Sequence, residues 1–340
     1  MVYFMKFKLL ATVNDIEIYA PIDGFISFFS SPYTTHIKGA AVDISNSLDF
    51  GNEALSPVSG IIDRIIKVEC DGGPYEKLDY IISLRSEVGS KYRIKLMHVR
   101  PLVHVNEKIE VADVIGRYIK TNYFAYHHIP HIHIEVCRDS TLRPSRAIEL
   151  NLHSEFINQE VLRDITRTNH LRLGVMSVHE NFIMCKVHNL ATQIGILGYV
   201  STGSLGLLNG ELGVGIGYIG YLYLSKVPKP NSKLILCSKV IGYIKRVRKW
   251  YALALHKLRT KFNKWFLEKT STAYLLPGSK ELITMKDVVF LANGIKVIGI
   301  EALLSTRAQL KLILPPNTKD MQIDRFLDLY IVDNLCTQSH

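Results

Sequence analysis

At 340 residues the chain is long enough for two domains of roughly 100–200 residues each. Its 47% apolar and 21% charged residues exclude a disordered or collagen-like polymer. Forty-one basic against 31 acidic side chains leave a net charge of +10, which favours anionic partners: nucleic acid, a membrane surface or an acidic polymer.

The five cysteines, Cys70, Cys137, Cys185, Cys237 and Cys336, are odd in number, widely spaced and free of any Cys-x-x-Cys pair. That pattern argues against a disulfide framework or a thiolate zinc site and predicts buried or idle thiols in a reducing compartment. Leu9–Val13 is too short for the apolar core of a signal peptide, so a cytoplasmic location is expected.

From Met1 to about residue 151 the sequence reads as short strands. Segments 16–19, 60–66, 80–84 and 92–96 are rich in β-branched and aromatic residues, and Asp23-Gly24 and Asp71-Gly72-Gly73-Pro74 punctuate them as turns. A barrel or sandwich is predicted. Ala20-Pro21-Ile22-Asp23-Gly24 is echoed by Ser56-Pro57-Val58-Ser59-Gly60, which suggests a duplicated half-barrel.

Residues 152–340 read as a second, accessory α+β domain, opening with a short linking helix over 152–166. Segment 192–224 is nearly uncharged, with Glu211 its sole ionisable residue. A membrane span competes there with buried strands, and the glycines, the turn pairs Thr202-Gly203 and Asn209-Gly210, and the period-two run from Gly213 to Tyr218 favour strands. Between Lys226 and Lys264 there are twelve Lys or Arg residues and no acid. Over 239–266 the apolar residues Ile244, Val247, Trp250, Tyr251, Leu253, Leu255, Leu258, Phe262, Trp265 and Phe266 recur at helix-compatible spacing, predicting a basic amphipathic helix. It either docks on an anionic surface or packs its apolar side on the second domain with its charges solvated. Residues 272–335 read as strands and short helices.

The sharpest chemical signal is Pro130-His131-Ile132-His133-Ile134-Glu135-Val136. Alternation makes it a strand, so His131, His133 and Glu135 share one face while Ile132, Ile134 and Val136 face a core. Segment 35–45 adds His36 and Asp43, and Lys95-Leu96-Met97-His98-Val99 adds a histidine at a strand end. A three-ligand zinc site with an open fourth position needs a set such as His36, Asp43 and His133, leaving His98 and His131 to act on a water.

In this order (His…Asp, a Met-His-Val strand end, then His-x-His-x-Glu) the region 16–150 resembles the lysostaphin/LytM-type zinc metalloendopeptidases. The resemblance implies a duplicated hybrid motif of β-strands that cuts cell-wall or glycine-containing peptides. Carried over by position, the zinc ligands are His36, Asp43 and His133, and the catalytic histidines are His98 and His131. Ser56–Gly60 matches the strand-entry turn, and 105–116 the segment leading to the last histidines. The chain departs from the family in three places: its His36–Asp43 spacing exceeds His-x-x-x-Asp, Asn106 and Ala112 replace usual glycines, and 121–129 lacks a glycine-rich loop. Tyr33 is a further candidate to stabilise an oxyanion. His104, His127 and His128 have no place in the pattern and are expected on the surface or in loops, the last two beside the cleft mouth.

The expected whole is therefore a mainly β protein, residues 1–151 being a peptidase domain and 152–340 the accessory domain. The expected activity is zinc-dependent peptide hydrolysis, with a catalytically inactive scaffold that docks a partner as the alternative. An anionic surface is the partner expected for 226–264, and nucleic acid ranks last because no nucleic-acid motif accompanies the charges.

Overall fold

The structure is a computed structural model that describes residues 6–30, 33–86, 91–154, 168–212, 218–223, 226–255, 288–293, 295–305, 308–315 and 324–333. The chain divides into two compact units, Met1–Phe28 with Tyr33–Phe156, and Phe29–Pro32 with Ile157–His340. Both are built from strands. Among the described residues the helices are one turn, Thr34–Ile37, and a 3-10 turn, Pro144–Arg146. No helix there is long and apolar enough to cross a membrane.

The first unit centres on a seven-stranded antiparallel sheet. Its strands lie in the order Lys108–Ile109, Gly60–Glu69, Leu78–Arg85, Arg93–Met97, Ile132–Cys137, Ala41–Ser45 and Phe25–Ser27. Two three-stranded sheets complete the unit: Asn151–Leu152, Phe7–Val13 and Ile16–Pro21, and then Glu53–Leu55, Val114–Tyr118 and Val99–Pro101. Each Pro-x-x-Gly echo feeds a strand of the large sheet, the first Phe25–Ser27 and the second Gly60–Glu69.

Register decides what each face of the large sheet carries. His133 lies opposite Asp43 on one side and Met97 on the other. One residue on, Ile134 lies opposite Val42 and Leu96, and Leu96 opposite Ile82; all four are fully buried. Each such aliphatic contributes about 1.5–3 kcal/mol. Because side chains alternate across a strand, a one-residue slip would turn the histidines into the core and the aliphatics out, so this core fixes the chemical row.

The second unit is a closed barrel continued by an open sheet. Ile196–Val200, Lys233–Leu236, Lys239–Val247, Ala252–Leu255, Tyr218–Tyr223 and Leu205–Leu212 pair in turn, and Leu205–Leu212 closes the ring on Ile196–Val200. Asn209 still pairs with Gly220 inside the ring, whereas Gly210 pairs with Ala302 in the open sheet. Gly210 has a φ of 131°, a conformation that needs glycine, and it is the hinge at which one strand serves both sheets. The sheet continues through Gly299–Leu303, Gln309–Ile313, Phe182–Val187, His170–Val178, Phe326–Asp333, Val288–Ala292 and Ile295–Val297. Buried within it, Glu301 pairs with Lys311 on the adjacent strand.

Within 192–224 the described residues include the strands Ile196–Val200, Leu205–Leu212 and Tyr218–Tyr223 and the turn that joins the first two, and 213–217 of the period-two run lie outside the described residues. The basic amphipathic helix is corrected over 239–255: Lys239–Val247 and Ala252–Leu255 are adjacent barrel strands. A bulge between Ile244 and Arg246 shifts the alternation by one, and a turn closed by Arg248 N–H on the Tyr251 carbonyl brings Trp250 and Tyr251 inward. Together the bulge and the turn imitate helical spacing. The remainder of that helix, the 155–166 portion of the linking helix and Cys336 lie outside the described residues. Cys70, Cys137, Cys185 and Cys237 are all buried free thiols, as their spacing predicted.

Candidate metal centre

Three strands and one helical turn bring the predicted residues together. Asp43 and His133 sit abreast on paired strands. His36 comes from Thr34–Ile37, and the extra residues before Asp43 are absorbed by this turn and its exit. Gly39 leaves it at φ 67°, with Gly39 N–H on the His36 carbonyl and Ala40 N–H on the Thr35 carbonyl, the glycine-terminated helix end. The longer spacing thus still delivers His36 to Asp43, Nε2 lying 3.4 Å from Oδ2. One ligand atom each from His36, Asp43 and His133 lies within 4.8 Å of the others, in a buried cluster able to hold a metal ion.

The second nitrogen of each ring supports that use. His36 Nδ1 is 2.8 Å from the Phe28 carbonyl, which can only accept, so Nδ1 carries the hydrogen and Nε2 keeps its lone pair. His133 is the mirror case: Nε2 is 2.8 Å from Glu135 Oε1, leaving Nδ1 to face Asp43 Oδ1 at 2.9 Å. Oriented outer partners of this kind fix tautomer and ring plane for a metal. Glu135 is itself held by Thr35 Oγ1 at 3.1 Å and by Lys95 Nζ at 3.4 Å, Lys95 being its direct cross-strand neighbour.

Burial opposes the charge of His133, yet the hydrogen bonds and charges of Asp43 and Glu135 outweigh it and raise its pKa to about 9. Burial likewise opposes ionisation of Asp43, but the surrounding imidazoles of His131 and His36 and the His133 hydrogen bond hold it well below the usual carboxylate range. Glu135 is held down at about 2, burial being overcome chiefly by His133.

His98 and His131 stand beside this cluster, their rings 5.3 Å apart. His131 Nδ1 is 2.9 Å from the Ile129 carbonyl, so Nε2 again keeps its lone pair; it lies 3.5 Å from Asp43 Oδ2. Burial lowers the His131 pKa to about 4 against the pull of Asp43, which makes the ring neutral near pH 7. Tyr33 places its ring 5.9 Å from His133, and burial raises its phenol.

Sequence reasoning missed two features. Asp79, on Leu78–Arg85, is fully buried and lies 2.6 Å from His98 Nδ1. The signal for it was a lone acid between Leu78 and the apolar run Tyr80-Ile81-Ile82. Segment 121–131 is the other. In place of a glycine-rich loop, Phe124 packs on His98 and His131 at ring distances of 4.9 and 4.8 Å. His127 and His128 lie in a loop, one of the two places expected for them, but not on the surface: both are buried, with Tyr126 and Phe124 packed against their rings. His104 is exposed, as expected.

Residues 17–151 match a family described as Domain of unknown function (DUF8155) N-terminal domain. No curated protein matches the chain.

Proposed function

We propose that the first unit is a zinc-dependent endopeptidase in which His36, Asp43 and His133 hold the metal and His98 and His131 act on the attacking water. The observation that carries this reading is the convergence of His36, Asp43 and His133, whose ligand atoms lie within 4.8 Å of one another in a buried cluster with two further histidines beside it. His36 and His133 each anchor their other ring nitrogen to a protein acceptor, and His98 and His131 anchor Nδ1 and present Nε2 next to the cluster. Two imidazoles and one carboxylate with an open position suit catalytic zinc. When bound there, the metal supplies Lewis acidity for a scissile carbonyl and a water.

The chain's own groups do the rest. With Nδ1 anchored, His131 and His98 each present Nε2, so one accepts the water proton and, once charged, donates it to the departing amine. The other steadies charge on the carbonyl oxygen, with Tyr33 as an additional donor; such groups are worth about two to four orders of magnitude in rate. By resemblance the substrate is a cell-wall-type or glycine-containing peptide. The second unit contributes attachment: from Ile196 to Leu255 the sequence has eight Lys or Arg and one acid, Glu211, which is buried. This supports contact with an anionic surface.

Metal content and peptide hydrolysis test the reading together. One zinc per chain is expected, with His133→Ala and Asp43→Ala losing it and His98→Ala and His131→Ala retaining it but losing most hydrolysis. Full zinc in His133→Ala would overturn the ligand assignment. A zinc-loaded wild type that cleaves no peptide or cell-wall preparation would favour the docking scaffold instead.

A further inference from the structure

Asp79 gathers four donors on one fully buried carboxylate. Oδ1 accepts from the backbone N–H of Tyr80 at 2.6 Å and of His98 at 3.0 Å. Oδ2 accepts from His98 Nδ1 at 2.6 Å and Thr121 Oγ1 at 2.9 Å. The carboxylate thus holds His98 twice, by main chain and by ring. His98 also stands at φ 72°, a left-handed conformation uncommon outside glycine, between the strands Arg93–Met97 and Val99–Pro101. A backbone so placed persists only where its surroundings over-determine it, and such positions cluster at working sites.

We infer that Asp79 is the positioning residue for His98, fixing its Nδ1–H tautomer and ring plane so that Nε2 serves as the base of the peptidase reaction. The inference rests on the function proposed above. A carboxylate accepts and cannot donate, so Nδ1 must carry the hydrogen and the lone pair is confined to Nε2. During hydrolysis the water oxygen bonds to the carbonyl carbon and its proton passes to Nε2. The ring then bears a positive charge that the Asp79 carboxylate faces at hydrogen-bond distance. As the carbon–nitrogen bond breaks, Nε2 returns that proton to the amine, and acid and amine leave with atoms and charge balanced. Thr121 holds the Oδ2 side of the carboxylate, which ties the pair to segment 121–131. Burial opposes ionisation of Asp79, but His98 and the remaining donors hold it below the ordinary range, so the pair needs no change of protonation at Asp79.

Nitrogen-15 NMR of the histidine rings in the zinc-loaded full chain tests the claim directly. Wild-type His98 should be protonated at Nδ1 in its neutral form. In Asp79→Asn the amide can present a donor to Nδ1, so the neutral ring should shift toward Nε2–H. Zinc content should be unchanged, kcat should fall by about 10²–10⁴-fold as for a wrong-tautomer variant, and KM should change only a few-fold. An Nε2–H tautomer in the wild type overturns the inference without any variant, even if Asp79→Asn does not fold. So does a folded Asp79→Asn that keeps Nδ1–H and cleaves at close to the wild-type rate. A wild type with the Nδ1–H tautomer and no hydrolysis at all would overturn the proposed function while leaving the anchoring of His98 by Asp79 standing.

Discussion

His133 lies between two carboxylates, and each ring nitrogen faces one of them. Without metal, the proton on Nδ1 is shared with Asp43, and a metal held by the same two atoms must displace it. With a pKa of about 9, His133 is protonated at pH 7. Zinc added to metal-free protein at that pH should therefore release about one proton per ion. Apparent affinity should rise roughly tenfold per pH unit until about pH 9. Calorimetry in two buffers of different ionisation enthalpy measures the proton count, and zero release would show that His133 is neutral or is not a ligand. The sign for the metal-free fold is the reverse. A histidine whose pKa is raised on folding stabilises fully below its unfolded value of about 6.5 and loses that contribution as pH rises through about 9. Zinc affinity should thus improve over the range in which metal-free stability declines.

Two turns of the first unit place residues other than glycine in the left-handed region. Asn106 and Ala112 have φ of 71° and 75°, a geometry that glycine adopts without steric cost. Asn tolerates it through its short polar side chain, whereas alanine bears a steric cost of roughly 1–2 kcal/mol. Glycine returns about 0.5–1 kcal/mol of that through its greater freedom when unfolded. Ala112→Gly should consequently stabilise on the order of 0.5–1 kcal/mol, and Asn106→Gly less. Thermal unfolding followed on the transition that zinc shifts reads out the first unit alone, and a destabilised Ala112→Gly would contradict this. Such angles follow from the sequence once the strands are placed, as does the strand from Pro130 on, whose alternation already set His131, His133 and Glu135 on one face. Asp79 did not follow, because its partner His98 is 19 residues away and only the pairing of Leu78–Arg85 with Arg93–Met97 joins them. The basic segment imitates a helix for a local reason: the bulge at Ile244/Arg246 and the turn at 248–251 together convert a period of two into spacings of three and four.

At the scale of the whole molecule the charge is divided unevenly, and the correction from helix to barrel changes what it can attract. An amphipathic helix could have laid an apolar face into a bilayer. Barrel strands instead turn Ile241 and Ile244 inward and leave Lys233, Lys245, Arg246, Arg248 and Lys249 exposed. Attachment through such a face, as proposed, would be electrostatic and would suit an acidic polymer better than the interior of a membrane. It should weaken steeply with salt, since exposed charges are screened over about 8 Å at physiological ionic strength. Changing Lys245, Arg246, Arg248 and Lys249 to Glu should abolish retention on an acidic wall polymer and on anionic vesicles at low salt. Zinc content and hydrolysis of a short soluble peptide should persist, because every group proposed for metal binding and proton transfer belongs to the first unit. Pull-down across a salt series, run beside the peptide assay, separates the two effects. Salt-insensitive retention of the reversed variant would assign attachment to another surface, and these cations would then serve only to keep the barrel solvated.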